Sequence, residues 1–132
     1  MKNKILLIVT ISFSFLFAEP LEFQFNQSSE QCFYFVQIAE LDEIPLSEND
    51  WIGAFNGEVC VGSSQWEGEY TTLAVMGNDG FVYSEGYCEN GDIPTFKVWN
   101  SEDDLIWEFT DNSTINGWSA NGTFVIESLG AY

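Results

Sequence analysis

The residues of this chain that can do chemistry are carboxylates, three thiols and a set of aromatic rings. Twenty-one Asp and Glu stand against three Lys, with no Arg and no His, in 132 residues. Lys2 and Lys4 fall in the first 18 residues, so Lys97 is the one cation from residue 19 onward, where the formal net charge is −20. Without His there is no Ser-His or Cys-His nucleophile and no usual zinc site. Without Arg, and with one Lys, no cationic surface is available to hold phosphate or nucleic acid. Such a field repels nucleic acid and anionic lipid and keeps the chain soluble. The mechanism this inventory permits is hydrolysis by two facing carboxylates, one of them desolvated. Carboxylates with apolar strand-like neighbours are few, chiefly Glu58 and Glu108, and no Asp-Thr-Gly or Gly-x-Ser-x-Gly element is present. A carboxylate-based glycoside hydrolase is therefore the minor alternative to a binding or assembly role.

Two ligand chemistries fit what remains. Acidic turns containing Asp50, Asp79, Asp92, Asp103 and Asp104 are candidate calcium ligands, since a hard cation could bridge two such loops through six to eight oxygens. No EF-hand spacing occurs, and Asp and Asn also populate turns for their backbone geometry alone. Five Trp and five Tyr exceed what a small core needs. Trp66 and Trp118 have polar, loop-like neighbours, and Trp99 alternates away from the expected core. With Tyr70 they are the candidate ligand-binding residues, for a glycan or a protein partner, because an aromatic ring offers an apolar face to a sugar. Cys32, Cys60 and Cys88 permit at most one internal disulfide, with three possible pairings and one thiol left over. No CxxC spacing suggests a metal–thiolate site.

The elements that must position these residues are strands. Lys2 and Lys4, an apolar run from Ile5 to Phe17, and Ala18 before Glu19-Pro20 predict a secretory signal peptide over residues 1–18. The run is shorter than the roughly 20 residues needed to span a bilayer, so no membrane insertion is expected after cleavage. An exported chain permits disulfides. The remaining 114 residues, 19–132, suit a single domain. Leu21 to Phe25 alternates as a half-buried strand. In Gln31 to Ala39, Cys32, Tyr34, Val36 and Ile38 fall on one face and Phe33, Phe35 and Ala39 on the other, the pattern of a central strand covered on both sides. Asn56-Gly57 predicts a two-residue type I′ turn. That turn pairs Ala54 with Val59 and Ile52 with Val61, placing all four in the core. Strands are also expected over 70–76, 92–100, 105–109 and 123–128, with Phe96 and Val98 inward and Thr95, Lys97 and Trp99 outward. Short strands with Gly, Asn and Asp turns and no helical stripe predict an all-β fold, an antiparallel β-sandwich (Ig-like or jelly-roll-like), with a small β-barrel as the alternative.

Several segments also resemble a known family. Phe25-Asn-Gln-Ser, Gln31-Cys-Phe-Tyr-Phe, Asp50-Trp-Ile-Gly-Ala-Phe-Asn-Gly-Glu-Val-Cys-Val-Gly, Val75-Met-Gly-Asn-Asp-Gly, Gly91-Asp-Ile-Pro-Thr-Phe-Lys-Val-Trp and Gly122-Thr-Phe-Val-Ile are similar to a repeat domain of secreted bacterial surface proteins. That domain is common in marine and Bacteroidota-like bacteria, often upstream of dockerin-like or type IX sorting domains. The resemblance implies an extracellular β-sandwich module and carries over no catalytic residue. The expected function is a non-catalytic secreted module with an adhesive, assembly or scaffold role at the cell surface. Its partners would be glycans, other surface proteins or a second copy of itself. The alternative is a carbohydrate-binding module that uses exposed Trp and Tyr.

Overall fold

The computed structural model describes residues 19–132, and the signal peptide expected over residues 1–18 lies outside the described residues. Nine strands follow in order: β1 (Gln31–Leu41), β2 (Ile44–Pro45), β3 (Trp51–Asn56), β4 (Val59–Gln65), β5 (Thr71–Met76), β6 (Thr95–Asn100), β7 (Leu105–Glu108), β8 (Asp111–Asn112) and β9 (Thr123–Ala131). They form two sheets packed as a sandwich. In one, β1 carries β2 and β5 on one side and β9 on the other, with β8 beyond β9; the second has the order β4-β3-β6-β7. Every pairing is antiparallel except that of β1 with β9, which is parallel. The sheets do not close into a barrel. Among the described residues the only helical elements are two three-residue 3-10 turns, Leu21–Phe23 and Val82–Ser84.

Period-two alternation builds the core. Cys32, Tyr34 and Val36 of β1, Leu73 and Val75 of β5, and Ile126 and Leu129 of β9 face Ile52, Ala54, Phe96 and Val98 of the second sheet. Tyr34 meets Phe96 edge-on at 6.0 Å across the interior. Its hydroxyl donates to the Asn116 carbonyl at 2.8 Å, so burying the ring leaves no orphaned polar atom. Burial of such side chains contributes about 1.5–3 kcal/mol each.

The structure corrects four local expectations. Leu21–Phe23 is a 3-10 turn rather than a strand, closed by the Phe23 N–H on the Pro20 carbonyl. Its Phe23 ring is buried on the outer face of the second sheet, edge-on to Phe55 at 5.7 Å, above Gly53. Only a residue without a Cβ leaves room for that ring. The β3–β4 hairpin turns at Gly57-Glu58, with Asn56 opposite Val59 and Phe55 opposite Cys60, one residue later than Asn56-Gly57 dictates. A bulge then inserts Val61, so Ala54 faces Gly62. Val61 is buried as expected, but Val59 is 37 % exposed. The cause lies in the other sheet: β4 presses against β5, where a Cβ on Gly62 would collide with the Ala74 carbonyl oxygen. In β1 the alternation slips between Val36 and Ala39, exposing Ile38 and burying Ala39, and β9 slips in step between Ile126 and Leu129. Finally, β1 is central but not covered on both sides: Phe33 and Phe35 remain half-buried on the outer face.

These contacts order two glycine substitutions. Gly57 has φ +61° with open space around its Cβ position, so Gly57→Val should cost about 1–2 kcal/mol from backbone strain. Gly62→Ala should cost about 1–3 kcal/mol because backbone itself must move. Chemical denaturation checks both, and an unchanged midpoint in either variant contradicts the contact described.

Candidate functional site

The five candidate calcium ligands are hydrogen-bond acceptors spread over four loops, Asp103 and Asp104 sharing the β6–β7 turn. Buried Asp50 accepts from the Ser47 N–H at 2.8 Å, and from the Ser101 N–H and hydroxyl at 2.9 and 3.0 Å. It thereby ties the crossover between the sheets to the β6–β7 turn. Asp79 accepts from Tyr83, Ser84, Phe81 and Ser29, which together hold its carboxyl well below the usual range, the Tyr83 hydroxyl most strongly. Asp92 accepts from the Glu89 N–H at 2.9 Å. Asp103 accepts from the Leu105 N–H and the Trp107 indole, and Asp104 from the Trp99 indole at 2.8 Å. No group of three His, Cys, Asp or Glu side chains among the described residues is arranged to hold a metal ion. In these turns the carboxylates cap neighbouring N–H and O–H groups.

Nor are the candidate aromatics gathered into a platform. Trp66 and Trp118 are buried in the core, contrary to the exposed position their polar neighbours suggested. The Trp118 indole donates to the Val75 carbonyl at 2.8 Å, and its ring lies where a Cβ on Gly77 would stand. Trp99 is half-buried on the outer face of the second sheet, paired across strands with Trp51 on one side and Ile106 on the other. Tyr70 is half exposed in the β4–β5 turn with φ +63°. Near it, a groove of about 750 Å³ runs past Trp66, with Leu46, Glu48 and Gln65 among its walls.

All three cysteines are free thiols, Cys32 and Cys88 buried and Cys60 half-buried. Burial pushes the Cys60 thiol up to about 11 and Cys88 up to about 12, the negative charges of Glu19 and Asp92 adding to the effect. Thiols held protonated in this way are poor nucleophiles. The Lys97 ammonium sits 4.5 Å from the centroid of the Phe55 ring, a cation–π contact on the outer face of the second sheet.

A surface that alternation alone assigned to the interior is the outer face of the first sheet. There Phe35 lies between Thr72 and Val125, and Phe33 between Ala74 and Thr123. Val125 is 49 % exposed. These two rows carry no charge on a chain of 21 carboxylates, and the nearest acid along β9 is Glu127. The signal was present in the Phe33/Phe35 spacing, but two apolar faces on one strand read equally well as a strand covered on both sides.

The fold and its surface define an acidic all-β sandwich domain with an uncharged apolar sheet face. No protein-family model, no curated protein and no solved structure matches the chain.

Two solution tests follow. Because both thiols are raised, the folded state keeps protons that the unfolded state loses above the ordinary value of 9.0. Stability should therefore hold below about pH 9 and fall as pH rises through 11 to 12, by roughly 1.4 kcal/mol per thiol per pH unit. Cys60→Ala should flatten that decline in pH-dependent unfolding, and an unaltered slope would contradict the burial. Added sodium chloride should raise the melting midpoint by screening self-repulsion. Calcium at matched ionic strength should do no more than magnesium, and a larger calcium-specific rise would reveal a specific calcium site.

Proposed function

We propose that the chain is a non-catalytic secreted module with an adhesive or assembly role at the cell surface. The observation that carries this reading is the uncharged row of Phe33, Phe35 and Val125 on the outer face of a twisted sheet. Contiguous apolar patches on otherwise polar surfaces are characteristic of association sites. Two twisted sheets can stack face to face, aligned within about 30°. The −20 field opposes association at long range, but the two phenylalanine rows themselves carry no carboxylate. The residue inventory supports the same reading, as do the two protonated thiols and a lysine engaged with a ring. The resemblance to a repeat domain of bacterial surface proteins agrees with an extracellular setting. A glycan-binding role is less well supported, because Trp66 and Trp118 face inward.

The test is sedimentation over a wide concentration range at near-molar salt, paired with a neutral-glycan panel. The protein should associate reversibly. Phe33→Ser together with Phe35→Ser should weaken association by about tenfold or more, since each ring removes apolar area worth 1 kcal/mol or more from the contact. The melting midpoint should stay close to that of the parent. Retention on glycan that the same changes abolish would transfer the face to carbohydrate recognition, and glycosidase turnover would overturn the reading outright.

A further inference from the structure

A second feature lies at the end of the sandwich where the β1–β2 hairpin approaches the β6–β7 turn. A cleft of about 530 Å³ opens there, within the size range of ligand sites. Leu41, Leu46 and Trp107 give it apolar walls, and Asp42, Glu102 and Asp103 stand at its rim. Buried Asp50 also lines it, with both oxygens already accepting hydrogen bonds. Among the described residues no cation neutralises this end. Lys97, the sole cation from residue 19 onward, is engaged with Phe55, four residues along β3 from Trp51.

One wall of the cleft is also an open sheet edge. Strand β7 pairs with β6, and no strand of the described residues lies beyond it. The Phe109 N–H donates to the Phe96 carbonyl, so antiparallel alternation turns the backbone groups of Ile106 and Glu108 away from β6. Leu105, 54 % exposed, and Ile106 offer apolar side chains beside that edge. Charge selects the occupant. A second copy would bring Asp103 and Glu108 against the same carboxylates, a like-charge contact that opposes pairing. A basic strand would meet complementary charge and an unfilled hydrogen-bonding edge together.

We infer that the cleft and the β7 edge receive an extended, lysine- or arginine-bearing segment of a partner protein. The segment's backbone adds a strand beside β7 through Ile106 and Glu108. One cationic side chain turns into the cleft, its alkyl stem along Trp107 and Leu41 and its charge among Asp42, Glu102 and Asp103. A free polyamine would supply the charge but not the strand, so a peptide is the better fit. This inference rests on the binding-module reading and names the partner's chemistry.

The experiment is calorimetric titration of the purified protein with a capped peptide of alternating Lys and Val, with tryptophan emission recorded in parallel. Comparison ligands are the same peptide with Glu for Lys, the Lys peptide methylated at alternate backbone nitrogens, and spermine. The Lys peptide should bind at low salt and weaken by about tenfold or more near molar salt. It should bind about tenfold more tightly than spermine or the methylated peptide, in line with the loss of several hydrogen bonds. Asp42→Asn with Glu102→Gln should weaken it about fivefold or more at an unchanged or higher melting midpoint. Equal binding of spermine, equal binding of the Glu peptide, or indifference to the double substitution would each overturn the inference. If that happens while Phe33→Ser with Phe35→Ser still disrupts association, the cleft assignment fails alone. If the phenylalanine changes are also silent, the module reading falls with it.

Discussion

The parallel pairing of β1 with β9 is the constraint on which the rest of the fold depends. It joins residues ninety positions apart, Phe33 to Thr123 through Leu41 to Ala131, so nearly the whole domain is enclosed between its first and last long strands. Closing so long a loop costs entropy before any contact rewards it. The compensation comes from β1 itself, which also receives β5 and β2 on its other edge and packs Tyr34 against Phe96 of the opposite sheet. A lesion in β1 therefore removes the centre of one sheet and the floor of the interior together. The matched slip of alternation in β1 and β9 is a consequence. Two strands locked side by side must change phase together, which is why Ala39 and Leu129 are both inside.

With almost no cations, the domain must stabilise its carboxylates by other means. Exposed ion pairs contribute little in any protein, about 0–1 kcal/mol. Here backbone N–H groups and hydroxyls take the part that Lys and Arg play elsewhere. Asp50 joins two loops from different sheets, Asp79 organises the 78–84 turn, and Asp103 caps the start of β7. The same geometry explains why acidic turns mimic metal sites in the sequence. A turn that needs its N–H groups satisfied and a loop that binds calcium both place Asp and Asn at short spacing. What separates them is whether the oxygens converge on one point; here they accept from N–H and O–H groups of their own turns and, for Asp50 and Asp79, of a second segment as well.

Much of the architecture was legible because period-two alternation survives translation into structure. The places of β5, β6 and β7, the inward Phe96 and Val98, and the outward Lys97 and Trp99 follow from it, although β6 starts at Thr95, after Pro94, rather than at Asp92. What escaped was set by contacts between segments distant in sequence. The β3–β4 register depends on Ala74, which meets Gly62 only after β4 and β5 have come together. Phe23 reads as part of an alternating strand, yet its burial depends on a notch at Gly53 thirty residues later. Trp66 and Trp118 were misread for a related reason. Polar neighbours show where a loop's backbone lies and say little about one large ring, which turns inward once a carbonyl such as that of Val75 can accept its indole N–H.

The two surfaces of this domain answer ionic strength in opposite directions. An apolar face on a strongly anionic body associates better as salt screens the body's self-repulsion. An acidic cleft loses its hold on a cation under the same screening, and the loss is greatest for the exposed Asp42 and Glu102. The two proposed contacts are therefore of opposite salt preference and lie on different elements: the face on β1, β5 and β9, and the cleft mainly on the β1–β2 hairpin and the β6–β7 turn. Because β1 runs from Phe33 and Phe35 at one end to Leu41 beside the cleft at the other, a single rigid strand fixes the spacing between them. If both proposed contacts form, they are compatible at intermediate salt, where screening has relieved the body's self-repulsion without removing the attraction in the cleft.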